Sequence, residues 1–191
     1  AIINGEDFSG CSIIKMNEGI DSGPILEQEK YKIESDDTVL TIHEKTFEIF
    51  PRLLLKAIEK IEIGDYGGKI QDESKATYYH RRKPEDGEIK WNFSTAHEVY
   101  NLVRGLTHPY PGAFTYFKGK KLFLWSSELI DEDIRGIPGR VCFIRDNGVI
   151  VVAKDRSLLI KEVQLEGGNI QLSNQILKKQ GEKLGIYSKE D

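Results

Sequence analysis

The 191 residues suffice for one ordinary domain or two small ones, with a sizeable buried core. Charged residues make up 30% and hydrophobic ones 39%, and aromatic and β-branched side chains are spread along the chain, which excludes long-range disorder. A formal net charge of -4 supplies no overall positive field for nucleic acid or anionic lipid. The charge is uneven: the part up to Glu88 is acidic by roughly seven and the remainder basic by roughly three.

Cys11 and Cys142 lie far apart, each in an apolar run, and read as buried free thiols rather than a disulfide or metal set, which fits a reducing cytoplasm. No uninterrupted apolar stretch reaches the length of a membrane helix, and the start lacks the basic region and cleavage site of a signal peptide. The opening AIINGE has no initiator Met and enters an apolar run at once, so it reads as a truncated beginning.

In chain order, residues 11–16 (CSIIKM), bounded by Gly10 and the turn residues Asn17 and Gly19, predict a short buried strand. Residues 24–33 predict a second, one-sided at its end, where Tyr31 and Ile33 alternate with Lys30 and Lys32. The DSG turn signal separates them. Ile42, Phe50, Leu53, Leu54, Ala57 and Ile61 then recur at helical spacing. Asp36 or Asp37 is the expected cap, Gly64 the expected end, and Pro51 is expected to kink or split the helix. His43 reads as a partly exposed residue of this helix.

From Gly64 to Glu88 the apolar pattern fails, and Gly67, Gly68 and Pro84 break it, as in an interdomain linker. Ser94 is the expected cap of a second helix whose apolar face is Val99, Leu102, Val103 and Leu106. Strand-length runs follow at 113–117, 122–125, 140–144, 149–153 and 158–165, spaced as in a small antiparallel barrel or sandwich. The tail from Leu172 carries one weak helical pattern, and 189–191 are expected to be loose.

Phosphate-binding glycine loops, zinc spacings and nucleophile elbows are absent, so the carboxylates must be judged by context. Asp21 in Asp-Ser-Gly reads first as a turn former, because its side chain can bond its own backbone. Asn4-Gly5-Glu6, Gly10, Met16, Asp21, Gly23, Pro24 and Ile25 stand at a characteristic spacing, however. The segment resembles the latter part of the catalytic domain of folate-dependent formyltransferases, with Ser9 and Ser12 where Thr is usual. RRKPEDGEIKWN and LVRGLTHPYPGAFTYF resemble the linker and the start of the C-terminal domain in two branches of that family.

The resemblance implies an α/β chain: residues 1–66 as the latter part of a Rossmann-like formyltransferase domain, 67–88 as a linker, and 89–191 as a small C-terminal antiparallel β-barrel (OB-like) domain. It implies 10-formyltetrahydrofolate as formyl donor, no metal, and an Asn-His-Asp catalytic set in which Asp21 is the Asp, orienting the His and favouring its protonated form. Glu18, Gly19 and Ile20 match the loop whose backbone lies beside the pterin ring. The Asn-x-His part of the family's pattern lies upstream of the residues matching NGE. None of His43, His80, His97 or His108 holds that position, so this chain alone is expected to be inactive.

Arg81-Arg82-x-Pro84 and Thr107-His108-Pro109-Tyr110-Pro111-Gly112 look more like the branch that formylates amino sugar nucleotides, such as UDP-4-amino-4-deoxy-L-arabinose. Arg81 and Arg82 are candidate contacts to a substrate phosphate. The alternative acceptor is methionine on initiator tRNA, for which Lys118, Lys120 and Lys121 are the candidate contacts. A third reading, of another class, is a non-catalytic fragment serving binding or homo-oligomerisation.

Overall fold

The computed structural model describes residues 1–186, so the expected loose tail at 189–191 lies outside the described residues. The chain divides into two compact units. One comprises Ala1 and Glu6–Arg81, and the other Ile2–Gly5 and the chain from Arg82 onward.

The first unit is a hairpin covered by a helix. Strands β1 (Phe8–Ile14) and β2 (Ile25–Lys32) pair antiparallel, with Cys11 opposite Glu29 and Ser9 opposite Tyr31. The first strand ends earlier than its apolar run suggests, because the register shifts at Ile13 and Ile14. The Lys15 amide then donates to the Pro24 carbonyl at 2.9 Å, closing a long loop over residues 15–24. Helix α1 (Val39–Glu62) buries Ile49, Leu53 and Ala57. Ile49 and Leu53 form a small core with Cys11, to which Ile13 and Tyr31 add. The Tyr31 hydroxyl reaches the Thr46 hydroxyl at 3.0 Å, and Arg52 pairs with Glu29 at 2.7 Å.

Two expectations for α1 are corrected. Its N-cap is Thr38, in a reciprocal capping box with Thr41, rather than Asp36 or Asp37. Asp37 is buried and accepts hydrogen bonds from the Glu34 amide, the Thr41 hydroxyl and Lys45. Burial pushes its carboxyl up, but those three donors outweigh burial and hold it below the ordinary aspartate value. Pro51 also leaves α1 unbroken. It lies on the exposed side, nearly opposite Ile49, where the hydrogen bond it forfeits falls on the outer, longer-bonded side of the helix. The Phe50, Leu54 and Ile61 positions assigned by periodicity to the buried face are 44%, 39% and 38% exposed.

The second unit is built on one antiparallel sheet. Strands β3 (Ala113–Phe117), β4 (Lys120–Leu129), β5 (Val141–Arg145), β6 (Gly148–Val152) and β7 (Ser157–Leu165) run in the order β3-β4-β7-β6-β5, and β8 (Ile170–Leu172) adds to β7. The five expected runs are all strands. β8 has no strong apolar signal, since its residues are exposed or half-buried. Among the described residues, the weak helical pattern of the tail corresponds to a 3-10 turn at Ser173–Gln175.

Helix α2 (Ala96–Leu106) closes the core, with Ala96, Val99 and Val103 against Leu122, Leu124, Val151 and Leu158. Its N-cap is Thr95 rather than Ser94, in a capping box with Glu98, and Asp155 accepts from the Ala96 amide at 2.8 Å. Gly105 lets the turn at Ile2–Asn4 approach α2: an added Cβ would stand 2.6 Å from Ile3 Cγ1. The segment at 67–88 carries 3-10 turns at Glu73–Lys75 and Pro84–Gly87. Cys11 and Cys142 are both free thiols. Among the described residues no helix is long and apolar enough to cross a membrane.

Candidate active site

The loop at 15–24 gathers Glu18, Gly19, Ile20 and Asp21 in one exposed turn between β1 and β2. Asn17 starts it: its side-chain oxygen accepts from the Gly19 amide at 3.1 Å and from the Ser22 hydroxyl at 2.9 Å, an Asx-type turn. Asp21 adopts φ +54°, a left-handed conformation that Asp tolerates better than most L residues. Gly23 then passes so close to the end of β1 that an added Cβ would stand 1.8 Å from the Lys15 carbonyl oxygen. Only glycine fits there. The loop thus turns the Asp21 carboxylate outward on a backbone held at both ends.

Residues from beyond the linker boundary complete it. Lys69 and Ile25 exchange both main-chain hydrogen bonds at 2.9 Å. The Gln71 side-chain amide donates to the carbonyl of Asp21 and to that of Gly23, each at 2.7 Å. Sequence patterning gave no sign of Gln71, because one Gln in a polar segment has no period and its partners lie far back in the chain.

The main-chain groups of Glu18 and Ile20 engage in no hydrogen bond among the described residues, and Ile20 is 94% exposed. A turn with an apolar side chain and free peptide edges suits a flat, hydrogen-bonding heterocycle, so the residues present fit a folate. Among the described residues no cluster of three or more His, Cys, Asp or Glu side chains could hold a metal ion.

The other candidates lie elsewhere. Arg81 and Arg82 are exposed and fall on either side of the division between the units. His43 sits on α1 with its ring 6.2 Å from that of Phe47, and His97 on α2 meets Asn101 at 3.1 Å. His108 stacks on Trp125, with ring centroids 4.0 Å apart and planes inclined by 11°. In the β3–β4 turn Lys118 pairs with Glu182 at 3.0 Å, and the Lys121 ammonium lies 4.3 Å from the Phe114 ring centroid.

The formyl transferase family matches residues 1–58, and its C-terminal domain matches 81–181. The methionyl-tRNA formyltransferase of Lachnospira eligens is 34% identical over 174 residues, covering 87% of this chain and 54% of that protein. That of Coxiella burnetii is 33% identical over 184 residues, covering 96% and 58%. The chain therefore spans a little over half the length of these curated relatives.

Among solved structures, HypX from Aquifex aeolicus in complex with tetrahydrofolic acid shares the fold with a TM-score of 0.69 at 21% identity, covering 92% of this chain and 31% of that one. The N-formyltransferase from Helicobacter canadensis, in complex with folinic acid and dTDP-3-aminofucose, does so with a TM-score of 0.62 at 21% identity, covering 84% and 58%. On the family match and the identity to curated relatives, the chain belongs to the formyltransferase family.

Proposed function

We propose that this chain is part of an N-formyltransferase that moves the formyl group of 10-formyltetrahydrofolate to the amine of an amino sugar nucleotide. For the chemistry, the supporting observation is the loop at 15–24, which fixes Asp21 outward beside the free peptide edges of Glu18 and Ile20. In the reaction the acceptor amine bonds to the formyl carbon and the carbon's bond to N10 of the folate breaks. One proton leaves the amine and one is taken up at N10. Asp21 orients and charges the His of the upstream Asn-x-His, and the Asn holds the developing oxyanion. Glu18, Gly19 and Ile20 hold the pterin edge through their backbone. The second unit's sheet, continuous through β7, is read as the small barrel of this family.

For the acceptor, the supporting observation is that several cations of the second unit, Lys118 of the β3–β4 turn among them, are already paired with carboxylates. Lys118 pairs with Glu182, Lys90 with Glu88, Arg145 with Glu132 and Lys161 with Glu128. A phosphate backbone is bound by cations free to release counterions to it, so this surface favours a small phosphorylated acceptor contacted by Arg81 and Arg82. Methionyl-tRNA is the second reading, favoured by the identity to methionyl-tRNA formyltransferases.

The test offers the full-length protein 10-formyltetrahydrofolate with nucleotide-linked amino sugars and methionyl-tRNA side by side. Formyl on the sugar amine is the expected product. Exclusive transfer to tRNA overturns the acceptor, and transfer to neither overturns the enzyme reading in favour of a binding fragment. Arg81→Ala and Arg82→Ala are expected to raise KM for the sugar nucleotide with kcat little changed.

A further inference from the structure

We infer that Gln71 is a positioning residue for the catalytic loop, acting through the main chain of Asp21. The inference rests on the catalytic reading of Asp21 given above. The Gln71 side-chain nitrogen lies 2.7 Å from the Asp21 carbonyl oxygen and 2.7 Å from that of Gly23. An amide nitrogen carries two hydrogens, and here each goes to one carbonyl, so a single side chain bridges the peptide groups on either side of Ser22. Both neighbours are acceptors, so only the nitrogen end of the amide fits between them.

The bridge is anchored. Lys69 and Ile25 exchange two main-chain hydrogen bonds at 2.9 Å, and an added Cβ at Gly68 would stand 3.0 Å from the Ile25 carbonyl oxygen. The strand partner at Lys69 therefore delivers Gln71, two residues on, to the loop in a fixed register. The loop needs such a brace. Asp21 is held at φ +54°, and the Asx turn of Asn17 restrains only the side of the loop that precedes Ser22 and its hydroxyl. Without the Gln71 amide the two carbonyls are left to solvent, and the Asp21 backbone is free to relax to negative φ, swinging its carboxylate off line. Both hydrogens of the Gln71 amide go to carbonyls of the loop, so it acts on the loop's geometry and not on the reacting atoms.

Two variants of the full-length protein test this, each compared with Asp21→Asn. Gln71→Leu removes both donors at similar volume and is expected to lower kcat by about tenfold to a hundredfold, as a misplacement of about 1 Å does, with KM for the acceptor little changed. Gln71→Glu places a carboxylate against two carbonyl oxygens, which disfavours the charged form and raises its pKa. Its protonated form regains one donor, so its kcat should recover as pH falls, along a limb that wild type lacks. A merely structural role would lower the melting temperature of both variants and leave the shape of the pH profile unchanged. Gln71→Leu with wild-type kcat, or Gln71→Glu with a wild-type pH profile, overturns the inference while Asp21→Asn remains inactive. Near-normal activity of Asp21→Asn overturns the catalytic reading itself, and the inference with it.

Discussion

Among the described residues two hairpin connections each force a non-glycine residue into the left-handed region, Asp21 at φ +54° and Lys118 at φ +49°. In the β3–β4 turn the demand is local. Lys118 and Gly119, both at positive φ, form the two-residue turn that matches strand twist, and the strands on either side bury Phe117, Leu122 and Leu124. In the β1–β2 loop the demand is met from a distance, by Asn17 at one side and by Gln71 from the polar segment after α1. A left-handed residue in a tight turn is a consequence of turn type. One held by a distant side chain in a long exposed loop is, on the proposed reading, what aims the Asp21 carboxylate.

The contrast can be broken at either hairpin. The largest effect is expected in the β3–β4 scaffold: Leu124→Ala empties a fully buried site and should cost about 2–5 kcal/mol, read from urea unfolding of the second unit through Trp91 fluorescence. Formyl transfer chemistry should survive in the fraction that stays folded. Gly23→Ala does the reverse. Its Cβ collides with the Lys15 carbonyl, so it should cost about 1–3 kcal/mol in the first unit while removing nearly all transfer activity, measured by single-turnover assay.

Much of the molecule was legible in its residues. All the strands but β8, and both helices, follow from periodicity, and the resemblance carried by NGE, Gly10, Met16 and Asp-x-Gly-Pro-Ile singled out the loop that holds Asp21. What was not legible is long-range. Periodicity marked Leu53 and Ala57, which are buried, together with Phe50, Leu54 and Ile61, which are not, and it passed over Ile49, because spacing alone does not say which side of the helix meets β1 and β2. Both helix caps were placed early, because Asp and Ser compete with Thr for that role on equal terms. In the structure Asp37 goes instead to Lys45, Thr41 and the Glu34 amide. Gln71 left no trace at all.

The Asp37 cluster sharpens the comparison through pH. Its carboxyl is held below the ordinary value, so the folded first unit takes up that proton only at lower pH than the unfolded chain. The stability it gives is complete above about pH 4 and is lost as pH falls through the depressed value. Asp37→Asn should flatten this acid limb, measured by amide hydrogen exchange on α1, with the second unit unaffected. The smallest effect is a gain. Lys118→Asn suits the two-residue turn better and should stabilise the second unit by about 0.5–1 kcal/mol in urea melts, despite losing the pair with Glu182.

The most direct test of the central claim is the single-turnover rate of formyl transfer by Asp21→Asn in the full-length protein. Asn is at home in the left-handed conformation, so the loop and its Gln71 bridge should persist while the charge is gone. The account predicts a folded protein that binds folate normally and transfers almost nothing. A rate close to wild type would contradict it.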